Sequence, residues 1–336
     1  MRGDSGGGPS PPAEPTEVLW RGASVRSRLR RTEVRVVMEA EMSDEHRPRP
    51  VVVGVDESAS SRVALHWAAD LAAATGTPLV LLHAQLHGSA RLALAPHPPY
   101  MRELLADAER CGVAHAAVEV VHGNTVDLLH NRARHARLLV VGSYGDGAWS
   151  GTLVGHIALG LAGRVGCPVA VVRGATPGVP PARGGPVVAA VEDLRTGPGV
   201  LDTALLLARA WGAPVLVAHC AAGRESSGTV SDEDGAAARR LVDWAMRWVN
   251  DQDGGVAVTG EVIEEHGGPG LVGLAASARA IVVGHHEQPP SARSTMRQLI
   301  EFAPCPIVAV PPLLDRYVSA GADRAPADVA TVPGSP

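Results

Sequence analysis

The feature that most constrains this chain is that it carries the same segments twice, in the same order. Val51-Val52-Val53-Gly54-Val55-Asp56-Glu57 is matched by Val187-Val188-Ala189-Ala190-Val191-Glu192-Asp193. The stretch from Gly76 to Ala84 is matched by Gly212 to Cys220, each with a histidine next to its end, His83 and His219. Leu138–Gly142 is matched by Ala280–Gly284, and Cys167–Val172 by Cys305–Val310. Gly76 and Gly212 lie 136 positions apart, Gly142 and Gly284 142, and Cys167 and Cys305 138. Such near-constant spacing is the mark of an internal duplication. A chain of 336 residues has room for two domains of about 100–150 residues each. The expected organisation is a first domain over 49–174, a Gly/Pro-rich linker over 175–186 and a second domain over 187–314.

Each copy reads as short apolar strands alternating with helices. In the first copy the strands are expected at Val51–Val55, Leu79–His83, Ala117–Val121, Leu138–Val141 and Val169–Val172. The helices are expected at Ser60–Thr75, Met101–Cys111, Thr125–His135 and Leu153–Arg164. Ala64, Leu65, Ala68 and Leu71 recur at helical spacing, and Gly76 supplies a stop. Strands apolar on both faces belong to a parallel sheet covered by helices on both sides. Aromatic residues make up only 3% of the chain, with a single Phe, so Val, Leu, Ala and Ile must build that core. The fold class expected is therefore α/β, two doubly wound five-stranded parallel-sheet domains in tandem. Ligands of such sheets bind beyond the carboxyl ends of the strands, where the strand order reverses.

Two segments of the first copy reach that edge. One is Gly54-Val55-Asp56-Glu57-Ser58, leaving the first strand. The other runs from Gly142 through Gly145, Gly147 and Gly151 to Gly155-His156-Ile157, leaving the fourth. Glycines let backbone N–H groups approach an anion closely, and a helix start offers further donors to a phosphate. The spacing Gly142-x2-Gly145-x9-Gly155 resembles the G-x2-G-x9-G-(Ser/Thr) signature of the universal stress protein family. The Val-Gly-Val-Asp-Glu-Ser start and the Cys-Pro-Val-Ala-Val-Val end are also similar to that family, over residues 50–312.

That resemblance implies flavodoxin-like domains, paired within one chain as single-domain members pair in a dimer. It also implies an adenine nucleotide, ATP, ADP or AMP with or without magnesium, in some members and none in others. Carried onto this sequence, Asp56 would lie at the adenine end beside Gly54 and Val55, and Ala84 would line the base pocket. Gly142 and Gly145 would admit ribose and phosphates, and Gly155, His156 and Ile157 would contact phosphate. His156 departs from the signature, which has Ser or Thr there. Imidazole can still donate a hydrogen bond, but its bulk takes space a γ-phosphate needs, which favours AMP or ADP.

The second copy has lost most of these features. Glu192 stands in place of Asp56, Glu287 in place of the second glycine, and Arg293-Ser294 in place of Gly155-His156. Its loop is four residues shorter and holds Pro289 and Pro290. No ATP is expected there, so nucleotide would be held by the first domain only. His285-His286-Glu287 has the residue types of a metal site, but adjacent side chains diverge, and the trio reads as a solvated loop. His130, Arg132, Arg134, His135 and Arg137 read as a solvated helix face, and His83 and His219 as structural histidines.

No P-loop, nucleophile elbow or H-E-x-x-H helix is present. The leading expectation is a non-catalytic stress or signalling module whose occupancy is read by a protein partner. A slow ATP hydrolase using Asp146 and His156, or a ligand-free dimerising scaffold, are the alternatives, and a homodimer is open. Net charge is −5, which argues against nucleic acid as a partner. Neither a secretory signal nor 18 uninterrupted apolar residues is found, so neither membrane contact nor export is expected and a cytoplasmic location is. The four cysteines form no C-x-x-C pair and read as small buried hydrophobes. Residues 1–48, with arginines between 21 and 35, read as a disordered extension ahead of alternative starts at Met38 or Met42. Residues 315–336 read as a loose tail.

Overall fold

The computed structural model describes residues 48–85, 98–143, 156–161, 165–173, 184–221, 232–252, 255–265, 267–285 and 294–312. The N-terminal extension, most of the linker, the glycine-rich loop 144–155 and the C-terminal tail lie outside them.

The first repeat runs β1 (Val51–Gly54), α1 (Ala59–Thr75), β2 (Leu79–Gln85), α2 (Pro99–Arg110), β3 (Ala116–His122), α3 (Thr125–Ala133), β4 (Leu138–Gly142), α4 (His156–Leu161) and β5 (Val169–Val172). The second runs β6 (Val187–Ala190), α5 (Gly197–Trp211), β7 (Val215–Cys220), α6 (Asp232–Gln252), β8 (Val258–Ile263), α7 (Gly267–Ala275), β9 (Ala280–Gly284), α8 (Thr295–Phe302) and β10 (Ile307–Val310). Every strand expected in the first repeat is present. α2 begins two residues before its expected start because Pro99 sits in its first turn, where a missing N–H costs nothing. α1 and α5 stop at equivalent glycines, Gly76 and Gly212, in the left-handed conformation with φ of +63° and +61°. A side chain there would be strained.

The ten strands of the described residues form one sheet in the order β3-β2-β1-β4-β5-β10-β9-β6-β7-β8. The two halves mirror each other, and pairing is parallel within each repeat. They join by one antiparallel pair, with Val171 opposite Ile307, Ala170 opposite Val308 and Val169 opposite Ala309. In each half the order reverses beside the first strand, between β1 and β4 and between β6 and β9.

The sheet separates two cores, and each core runs through both repeats. One contains Val53, Leu65, Leu81, Ala189, Leu201 and Trp244; the other contains Val52, Leu129, Val171, Val188, Leu299 and Ile307. The seam is tied on both faces. On one, Trp67 of α1 meets Trp211 of α5 edge-on with ring centroids 5.5 Å apart. The guanidinium of Arg279 lies 4.6 Å from the Trp211 ring centre. On the other, Arg173 donates to the Glu301 and Ala303 carbonyl oxygens at the end of α8, at 2.6 and 3.2 Å, where a cation also meets the negative end of the helix dipole.

Two sequence expectations are corrected. Arg132 does not belong to a solvated face: its guanidinium donates to both carboxylate oxygens of Glu119, a buried residue of β3. Burying that carboxylate is tolerable only with such a partner. His285 is not in a solvated loop either. It is 6% exposed, and its N–H extends the β9–β10 ladder by donating to the Val310 carbonyl at 2.8 Å.

All four cysteines are free, with Cys167 and Cys305 buried at equivalent places. Burial pushes both thiols up to about 12 from an ordinary 9.0. Between those values the unfolded chain releases thiol protons and the folded chain keeps them. Stability is therefore expected to fall as pH rises, by about 1.4 kcal/mol per pH unit for each thiol. Urea unfolding at pH 8, 9 and 10 should show a shallower fall in Cys167→Ala/Cys305→Ala than in the unaltered chain; equal slopes would refute the assignment.

Candidate functional site

The first repeat's switch point lies at the ends of β1 and β4. Val55 continues β1 by donating its N–H to Leu82 O at 2.9 Å, and the chain then turns into α1. Four hydrogen bonds build that turn. Asp56 Oδ1 accepts from the Ser58 N–H at 3.0 Å and from the Ser58 hydroxyl at 2.5 Å. Ser58 Oγ accepts from the Ser61 N–H at 3.1 Å and so caps α1. Ser61 Oγ accepts from the Asp56 N–H at 2.9 Å, which closes the ring. Such short polar side chains compete well for backbone donors at helix starts. Asp56 is half-buried, and among the described residues nothing bonds to its second carboxylate oxygen.

The other expected residues fall around this turn. Gly54 ends β1, and a Cβ there would touch Leu129 of α3 at 3.3 Å. At Gly142, ending β4, a Cβ would lie 2.6 Å from Ser60 Oγ and 3.0 Å from the Ser60 carbonyl carbon. The missing side chain of Gly142 therefore makes room for the first turn of α1. Ala84 lies near the end of β2, half-buried, and Ile157 near the start of α4, packed on the core beneath. His156 is the first residue of α4. Gly145 and Gly155 lie outside the described residues.

Sequence reasoning missed Ser143, the residue after β4. Its N–H donates to Val172 O at 3.0 Å. It is 1% exposed, and its hydroxyl has no hydrogen-bond partner among the described residues. Buried hydroxyls nearly always have one. The available signal was its place between Gly142 and the glycine-rich loop. His83 and His219 serve as struts. Each gives its Nδ1–H to a first-strand carbonyl, Val55 O at 3.0 Å and Val191 O at 2.8 Å. The Tyr100 hydroxyl also lies 2.9 Å from His83 Nδ1.

The equivalent edge of the second repeat is built differently. Its turn is held by Asp193, not Glu192: Asp193 Oδ1 accepts from the N–H groups of Arg195 and Thr196 and from the Thr196 hydroxyl. Glu192 is exposed. The Cys220 thiol is pushed up to about 11, first by burial and then by Glu192 and Glu265, so the strand ends here carry negative potential. The first turn of α7 sits directly on α8. A Cβ at Gly267 would lie 2.8 Å from Thr295 Oγ1, and one at Gly268 would overlap the Gln298 amide. α8 is capped by its own chain, with Ser294 Oγ accepting from Arg297 N–H at 3.3 Å. Among the described residues no group of His, Cys, Asp and Glu could hold a metal.

The Usp profile, described as "Universal stress protein family", matches residues 48–173 and again 185–311. The chain belongs to the universal stress protein family. It is a tandem universal stress protein, since both repeats match. A universal stress protein of Mycobacterium tuberculosis strain H37Rv is 30% identical over 260 residues, covering 70% of this chain and 85% of that one. The crystal structure of a universal stress protein from Archaeoglobus fulgidus covers 79% of this chain and 99% of its own, at 16% identity and a TM-score of 0.59. It shares the fold. A universal stress protein solved in complex with cAMP is 30% identical over 38% of this chain and 99% of its own, with a TM-score of 0.32. Among the described residues of this universal stress protein, no helix is long and apolar enough to cross a membrane.

Proposed function

We propose that this universal stress protein holds one adenine nucleotide per chain, in its first repeat, without turning it over, and that occupancy is the signal a protein partner reads. The observation that carries this reading is the contrast between two edges made from one duplicated sequence. In the first repeat, polar groups stand unspent at neighbouring strand ends: the second oxygen of Asp56 and the buried hydroxyl of Ser143. In the second, one oxygen of the turn carboxylate takes three donors, the glycines at the start of α7 leave no space beside α8, and Glu192 and Glu265 oppose any phosphate.

Asp56 would accept a hydrogen bond from the nucleoside, with Gly54, Val55 and Ala84 beside the base. Ribose and phosphates would follow the β4 end from Gly142 and Gly145 toward Gly155, His156 and Ile157. The domain limits 49–174 and 187–314, and a location in the cytoplasm, belong to the same proposal.

Calorimetric titration of the full chain with ATP, ADP and AMP, with and without magnesium, tests it. One site per chain is expected. Two equal sites would sink the assignment to one repeat. Steady release of phosphate by bound ATP would sink the non-catalytic part. No heat and no thermal shift with any of the three would sink the reading as a whole.

A further inference from the structure

We propose that Ser58 is a positioning residue for the ligand: it acts through Asp56, by holding one carboxylate oxygen so that the other faces the site. This rests on the nucleotide reading above.

The geometry is a closed ring. A free aspartate rotates about two side-chain bonds, and at the end of a strand it can turn toward its own backbone, toward water or toward a ligand. Here Oδ1 is held by two donors of the same residue, the Ser58 N–H at 3.0 Å and its hydroxyl at 2.5 Å. Ser58 is fixed in turn, because its oxygen accepts from Ser61 N–H at 3.1 Å. Ser61 is fixed to the start of the turn through the Asp56 N–H at 2.9 Å. Each hydroxyl thus both anchors α1 and orients the acid. The Asp56 N–H is spent inside the ring, so Asp56 meets a ligand as an acceptor only, and the ligand group it meets must be a donor.

The second repeat shows that the helix start alone does not require this ring. There Leu194 and Gly197 occupy the positions of Ser58 and Ser61. Asp193 makes the turn with the Arg195 and Thr196 N–H groups and the Thr196 hydroxyl, the Thr196 side chain does not cap the helix, and α5 still forms over fifteen residues. The closed ring through two serines accompanies Asp56 and is absent from the second repeat, where the hydroxyl that holds the acid, Thr196, does not also cap the helix.

The test is a double-mutant cycle in the full chain, with AMP as the probe, read by calorimetry or, for weak binders, saturation-transfer NMR. Ser58→Ala is expected to weaken AMP binding about tenfold and to lower the melting temperature, because the N-cap is lost. Ser58→Thr keeps the hydroxyl and restores both. With Asp56→Ala already in place, Ser58→Ala should lower the melting temperature again but leave the remaining affinity unchanged. An undiminished loss of affinity in that background, or no loss in either, would overturn the proposal.

If Asp56→Ala leaves no binding to measure, Ser58→Gly decides. Glycine is tolerated at an N-cap nearly as well as serine and has no hydroxyl to donate to Asp56. Affinity that falls while the melting temperature holds supports positioning, and affinity that holds with it overturns positioning. An unaltered chain that binds no AMP, ADP or ATP overturns the nucleotide reading and this inference together, whereas binding with a failed cycle overturns this inference alone.

Discussion

Gly284→Ala is expected to destabilise the protein by about 2–3 kcal/mol and Gly142→Ala by about 1–2 kcal/mol, although only Gly142 borders the proposed nucleotide site. At Gly284 a new Cβ would sit 2.5 Å from Thr196 Oγ1 and 2.6 Å from Thr196 Cβ. The Cβ is fixed to the backbone, so no rotamer relieves the overlap and α5 must move off the sheet. At Gly142 the nearest atom is Ser60 Oγ at 2.6 Å, a side chain that can turn, with the Ser60 carbonyl carbon and oxygen at 3.0 and 3.1 Å. Relief there needs only a few tenths of an ångström from α1. Urea unfolding monitored by circular dichroism gives both values. The order is the sharp part: Gly142→Ala costing more than Gly284→Ala would refute the packing argument. Full stability of Gly142→Ala with loss of nucleotide binding would assign Gly142 to the ligand instead of the helix.

This result bears on what was readable in the sequence. A glycine at the end of the fourth strand of each copy looks like a relic of one binding motif. The close approach of the helix after the first strand explains it in both, because α1 and α5 start over the same place in each half. The central strands β1, β4, β5, β6, β9 and β10 were legible because each is four or five residues of Val, Leu, Ala and Ile with at most a closing glycine. Their burial on both faces follows from that composition. The fusion into one ten-stranded sheet was not legible. Val169–Val172 and Ile307–Val310 are buried on both faces whether each ends its own sheet or pairs with the other, and nothing in four apolar residues names the partner.

The Glu119–Arg132 pair escaped for a related reason. Periodicity places Arg132 on the polar side of a short helix, and only the folded arrangement, with α3 over β2 and β1, shows its side chain reaching the buried carboxylate of β3. Residue-by-residue matching of the copies also set Glu192 under Asp56. The structure moves the turn-making acid one position along, to Asp193, because Leu194 cannot hold a carboxylate as Ser58 does.

From that shift follows the sharpest functional contrast. Asp56→Ala should weaken nucleotide binding by about 10–100-fold, the worth of one charge-assisted hydrogen bond, while Glu192→Ala changes it less than about twofold. Alignment treats the two acids as equivalent; the structure does not. Asp56 is half-buried with one oxygen tied by Ser58, whereas Glu192 is exposed and the turn beside it is made by Asp193. Asp56→Asn separates charge from shape. It keeps an oxygen for Ser58 and puts an amide donor where the free oxygen was, so a donor on the ligand meets a donor. Its loss should match that of Asp56→Ala, with a smaller change in melting temperature because the turn survives. Calorimetry on the three variants, with thermal unfolding as the control for folding, reads all of this. If Glu192→Ala weakened binding as much as Asp56→Ala, the ligand would belong to the second repeat or to both. If Asp56→Asn bound as well as the unaltered chain, Asp56 would serve the turn and not the nucleotide.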